Sequence, residues 1–152
     1  MTADREDAHP PHTVLVIDDS ADSRDALCLL LELEGFRVAK SASATDALRM
    51  METEGLRPCL VLLDLVLPVM GGLAFRRRLL EHPDLATIPV AALTGHEGQR
   101  RQAESEGVFT AALLKPTDVD SLLSLVGNHC PRRGETCGEE SESSPGERRR
   151  VR

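Results

Sequence analysis

At 152 residues the chain has room for one ordinary domain with tails, and not for two. It contains only three aromatic residues (Phe36, Phe75 and Phe109) while 41% of it is hydrophobic, so its core must be built from Leu, Val, Ala and Ile, which suits α/β layers. The net charge of −7 offers no basic field to nucleic acid or anionic lipid; residues 129–152 hold six Arg against five Glu, leaving −8 on residues 1–128.

The strongly apolar stretches are short, as in Leu60–Leu65, far below a membrane span. Residues 1–12 form a polar N-terminal extension without the basic-then-apolar order of an export signal, so a cytoplasmic location is expected. Cys28, Cys59, Cys130 and Cys137 lack the close pairing of zinc ligands, and in that compartment they are expected to be reduced thiols rather than disulfides.

In chain order, Thr13 to Asp18 (TVLVID) is an apolar run ending on acids, the pattern of a buried parallel strand. Ser20 can cap a helix whose Leu27, Leu30, Leu31 and Glu34 recur at helical spacing until Gly35 stops it. Phe36, Val38 and Ala39 make a short second strand. Ala44 to Glu54 is a helix with Ala47, Leu48 and Met51 on one face, closed by Gly55 and Pro58. Leu60 to Asp64 is a third strand, again ending on an acid; Pro68, Gly71 and Gly72 force a loop, with Gly72 permitting a tight turn, before a helix from Leu73 to Glu81. A fourth strand, Ile88 to Leu93, stops at Thr94 and is followed by a polar helix near Gly98 to Ser105. Ala111 to Leu114 is the fifth strand; after Lys115 and Pro116, Asp118 caps a last helix holding Leu122, Leu123, Leu125 and Val126.

Five strands alternating with five helices predict a doubly wound parallel sheet, because every parallel crossover is long and right-handed. The ordered domain is expected over residues 13–128. Residues 129–152 lack apolar periodicity and are expected to be a disordered charged tail, dispensable for folding.

In such a sheet ligands bind beyond the carboxyl ends of the strands. Those ends carry Asp18 and Asp19, Asp64, Thr94 and Lys115. Three carboxylates brought together repel one another unless a proton or a hard divalent cation intervenes; Mg²⁺, with Mn²⁺ as a substitute, takes one or two carboxylates plus waters and a phosphate oxygen. An ionised Asp64 is then a nucleophile able to form an acyl phosphate, with the Lys115 ammonium and the Thr94 hydroxyl facing the phosphoryl oxygens.

The blocks VLVIDDS (Val14–Ser20), LLDLVLPVMGG (Leu62–Gly72), ALTG (Ala92–Gly95) and LLKP (Leu114–Pro116) resemble the response-regulator receiver family of two-component signalling, in order and with family-like spacing over about residues 13–128. The resemblance implies a flavodoxin-like (βα)5 fold with strand order 2-1-3-4-5. It also implies phosphorylation of Asp64 by a histidine kinase, hybrid kinase or phosphotransfer protein. Mg²⁺ would be held by Asp19, Asp64 and the Val66 backbone carbonyl, with Asp18 acting through water. Thr94 and Lys115 would read the phosphorylated state, and the Lys115–Pro116 bond would be cis. The tract KPTDVDSLLSLV (Lys115–Val126) is similar to receivers attached to hybrid histidine kinases. Two departures stand out: Ala112 occupies the position three before the lysine where many members carry a rotating aromatic or His, and Val66 is apolar where many are polar.

No output domain, nucleic-acid partner or membrane partner is expected, and no catalysis beyond the chain's own phosphorylation and dephosphorylation. A haloacid-dehalogenase-type phosphatase would need a second acid at position 66, where Val66 stands. A receiver acting through constitutive contacts alone would not need the complete acid set. Asp22, Asp25 and Asp84 are expected to be solvated acids, the five histidines to lie at the surface, and the terminal arginines to be a solvated charge run.

Overall fold

The computed structural model describes residues 12–67, 70–115 and 117–132. The five strands are β1 (Thr13–Ile17), β2 (Arg37–Ser41), β3 (Leu60–Asp64), β4 (Val90–Thr94) and β5 (Ala111–Leu114), all parallel in the order β2-β1-β3-β4-β5. The helices are α1 (Ala21–Leu33), α2 (Ala44–Glu52), α3 (Gly72–Leu80), α4 (Glu97–Glu106) and α5 (Val119–His129). The expected fold class and strand order are therefore the observed ones.

The two-residue period of a strand divides the core between the faces of the sheet. Leu15 and Ile17 of β1 and Val61 and Leu63 of β3 face α2 and α3, meeting Ala47, Met51, Phe75 and Leu79. Their neighbours Val14, Val16, Leu60 and Leu62 face α1 and α5, meeting Cys28, Leu31, Leu122 and Val126. Each fully buried Leu or Phe contributes roughly 1.5–3 kcal/mol relative to exposure. Helix α4 is the exception. Its one buried residue, Ala103, joins Ala92 and Ala112 in a small separate cluster flanked by half-buried Leu65 and Phe109, so less buried apolar surface holds it to the sheet.

Local chemistry sets the ends. Ser20, Ser43 and Asp118 accept the amides of Ser23, Asp46 and Ser121 and cap α1, α2 and α5. Gly35 turns the chain after α1 at φ +97°, a conformation a side chain disfavours. Strand β4 starts at Val90 rather than Ile88, because Pro89 has no amide to give the ladder, although its carbonyl still accepts from Val61. Helix α2 ends at Glu52 rather than Glu54, the Thr53 and Glu54 amides both turning back to the Arg49 carbonyl.

One expectation is corrected. Cys59 and Cys130 are not separate thiols: they form a disulfide with Cα atoms 5.6 Å apart, although they are 71 residues apart in sequence and only the fold brings them together. Described structure continues past Asn128, the expected end of the domain. Helix α5 runs through Gly127 to His129, Cys130 is buried, and Arg132 packs over the Phe36 ring at 4.8 Å. The remainder of the tail, the N-terminal extension up to Pro11, and Pro116 with its expected cis bond lie outside the described residues. Among the described residues no helix is long and apolar enough to cross a membrane.

Candidate functional site

The carboxyl ends of β1, β3, β4 and β5 bring the expected residues to one edge of the sheet. One carboxylate oxygen from each of Asp18, Asp19 and Asp64 lies within 4.8 Å of the others. Asp19 is exposed, whereas Asp18 is 3% and Asp64 9% exposed.

Asp18 is held from four directions. The Ser20 amide donates to its Oδ1 at 2.9 Å, and the Ser23 hydroxyl and Lys115 Nζ donate to its Oδ2 at 2.8 and 3.2 Å. Arg24 donates to its backbone carbonyl at 2.9 Å. Burial raises the Asp18 carboxyl, but the Ser20 amide, the Ser23 hydroxyl and the Lys115 ammonium together outweigh it and hold the group below the ordinary aspartate value. Asp64 receives less: the Val66 amide donates to Oδ1 at 3.0 Å and Lys115 Nζ lies 3.6 Å from Oδ2. Burial therefore prevails over those two donors and, with the neighbouring Asp18 charge, raises the Asp64 carboxyl above the ordinary value.

The donor set fits a hard cation. Three carboxylates converge, one of them destabilised as an anion, and oxygen ligands are what Mg²⁺ prefers. Both Asp18 oxygens already accept hydrogen bonds from protein donors.

Thr94 is 1% exposed at the end of β4, and its carbonyl accepts the Lys115 amide at 2.7 Å, which couples the ends of β4 and β5. Its hydroxyl, expected to face the phosphoryl group, is committed elsewhere. It donates to Gln99 Oε1 at 2.5 Å and accepts the His96 amide at 3.2 Å. Val66 is 54% exposed next to Asp64, so an apolar surface borders the approach to that carboxylate.

Gly72 has a different role from the expected turn. A Cβ there would stand 2.8 Å from Leu65 Cδ2 and 2.9 Å from Leu65 Cα, so α3 approaches the loop after Asp64 as closely as only glycine permits. Asp22, Asp25 and Asp84 are exposed as expected, and the described histidines are exposed or half-buried.

Sequence reasoning missed Ser23, Arg24, Gln99 and Arg76. The first two occupy the opening turn of α1, directly after the acids, a position that could have suggested them. Gln99 sits among polar residues of α4 with nothing to distinguish it. Arg76 is 7% exposed and ties α3 to two loops, donating from Nε to the Val108 carbonyl at 2.7 Å and from Nη1 to the Ile88 carbonyl at 3.0 Å. Nothing in the run Arg76–Arg78 indicates that its first member points inward.

Comparison with known proteins agrees with this geometry. The response regulator receiver domain model matches residues 14–127. An uncharacterised 14.6 kDa protein of Leptolyngbya boryana is 37% identical over 118 residues, covering 77% of this chain and 88% of that one. Protein PilH of Pseudomonas aeruginosa is 29% identical, covering 74% of this chain and 93% of its own. Among solved structures, the signal receiver domain of a signal transduction histidine kinase from Syntrophus aciditrophicus superposes with a TM-score of 0.70 at 29% identity, over 82% of this chain and 96% of that domain. With most of its length matched by that model and an acidic, lysine-closed pocket at the expected strand ends, the chain belongs to the response regulator receiver domain family.

Proposed function

We propose that this protein is a cytoplasmic phosphoacceptor switch in which Asp64 takes a phosphoryl group from a phosphohistidine of a histidine kinase, hybrid kinase or phosphotransfer protein. The observation that carries the reading is the Asp64 carboxylate at the end of β3, with Lys115 Nζ 3.6 Å away and the Asp18 and Asp19 oxygens within 4.8 Å. An oxygen of Asp64 attacks phosphorus, the phosphorus–nitrogen bond breaks, and the donor imidazole leaves with a proton. Lys115, anchored on Asp18, presents its ammonium to the phosphoryl oxygens. The Thr94 hydroxyl turns from Gln99 to the new oxyanion. Asp19 and Asp64 would hold a Mg²⁺ ion, which when bound would supply positive charge to offset the anionic nucleophile and phosphoryl group. The protein catalyses its own phosphorylation and dephosphorylation and no reaction of another substrate. Its output is contact with another protein or onward transfer of the phosphoryl group.

The test is labelling of the purified protein with acetyl phosphate. Incorporation is expected only with Mg²⁺ or Mn²⁺, and Asp64→Asn is expected to abolish it. Labelling at another residue, or undiminished labelling in a chelator, overturns the assignment.

A further inference from the structure

The disulfide lies away from everything the acidic site uses. Cys59 is half-buried immediately before β3, with its amide donating to the Thr13 carbonyl at 3.0 Å. Cys130, 3% exposed, follows α5. Arg132 reinforces the same corner, donating from Nε to the Glu34 carbonyl at 2.8 Å and lying over Phe36. Cys28 is buried in the core as a free thiol.

We propose that Cys59 and Cys130 form a reversible thiol–disulfide site, oxidised by a low-molecular-weight or protein disulfide, that fastens the carboxyl end of α5 to the start of β3. The geometry supports this on two grounds. The Cα separation of 5.6 Å falls within the range a disulfide spans without backbone movement. The two residues also differ in burial, Cys59 being half-buried and Cys130 buried, which makes Cys59 the first to meet an incoming disulfide in the proposed exchange. The Cys59 thiolate, having lost its proton to solvent, attacks one sulfur of the oxidant and expels the other as a thiolate. The deprotonated Cys130 then attacks the Cys59 sulfur of the mixed disulfide and expels the second thiolate. Two protein thiols are oxidised by two electrons, and one external disulfide is reduced to two thiols. Reversibility rests on the cytoplasmic location proposed above, where glutathione keeps such bonds transient. Pairing itself does not depend on phosphorylation, and the experiment uses no phosphoryl donor.

The full chain is equilibrated in glutathione buffers from fully reduced to fully oxidised, quenched in acid, denatured, alkylated and mapped by mass spectrometry. Oxidising buffer is expected to protect Cys59 and Cys130 together as one cross-linked peptide pair, to leave Cys28 and Cys137 alkylated, and to be reversed by dithiothreitol. Closing so long a loop should raise the thermal midpoint of the oxidised chain by on the order of 10 °C. Cys59→Ala and Cys130→Ala should each abolish that shift, and the wild-type peptide map decides the pairing even if a variant folds poorly. Alkylation of both residues at every poise, pairing of either with Cys137 or with a second chain, resistance to dithiothreitol, or equal melting of the two forms overturns the proposal.

Discussion

Gln99 and Val66 are single residues that adapt a family site to this chain. By accepting the Thr94 proton, Gln99 holds that hydroxyl in the arrangement it has without a phosphoryl group, so activation must break this bond. A net hydrogen bond is worth about 1 kcal/mol, equivalent to roughly a fivefold change in an equilibrium. Gln99→Leu is therefore expected to tighten beryllofluoride binding about fivefold in the presence of Mg²⁺. A titration with unchanged or weaker affinity would show that Gln99 does not restrain Thr94. In the proposed switch, Val66 would bear on the reverse reaction. Its exposed apolar side chain, beside the carboxylate, offers nothing to orient the water that attacks the acyl phosphate. Val66→Asn is expected to accelerate loss of labelled phosphate by on the order of tenfold, as a positioning effect of that size is common for one hydrogen-bonding group. An unchanged half-life would count against this role.

Helix α4 and strand β5, which carries Ala112, form the least apolar part of the sheet's packing. Ala112 has no rotamer to change, and together with Ala92 and Ala103 it makes a cluster of three small side chains, smaller than the two main core clusters of this chain. Phe109 packs against that cluster and, with Leu65, Leu73 and Gln99, lines a cavity of about 160 Å³. A helix held by so little apolar burial is the element most easily displaced when Thr94 leaves Gln99. Arg76 does the opposite for α3, spanning to the carbonyls of Ile88 and Val108 from a buried position. Removing its guanidinium leaves two inward carbonyls without donors, at roughly 1–3 kcal/mol each. Arg76→Met is accordingly expected to lower unfolding free energy by about 2–4 kcal/mol in urea denaturation. A loss under about 0.5 kcal/mol, the scale of ordinary surface substitutions, would place this arginine outside the fold's support.

On the scale of the whole molecule, the sheet separates two ends with different tasks. The carboxyl ends of the strands carry the acids, Thr94 and Lys115, while the opposite edge carries Cys59, Cys130 and the contacts of Arg132. Truncation tests where the domain stops. Ending the chain after Arg132 is expected to leave the thermal midpoint within about 2 °C of the full chain, since charged segments without apolar periodicity contribute little to a core. Ending it after Asn128 discards buried Cys130 and the Arg132 contacts and is expected to lower the midpoint measurably even under reducing conditions. Equal melting of the two truncations would return the boundary to residue 128.

The sequence by itself determined the sheet, its order of elements and the edge on which chemistry gathers. Continuous apolar runs ending on Asp18, Asp64 and Thr94 are local signals, and parallel crossovers leave few ways to assemble them. Asp18, Asp19, Asp64, Thr94 and Lys115 were legible for the same reason, since each sits at a strand end that the topology must bring to one place. Only the tertiary structure decided which partner each side chain takes. Whether the Thr94 hydroxyl meets Gln99, whether Arg76 turns inward, and whether Cys59 finds Cys130 depend on contacts between residues from 5 to 71 positions apart. No periodicity encodes such pairings, because they are fixed by how helices of given length settle on a twisted sheet.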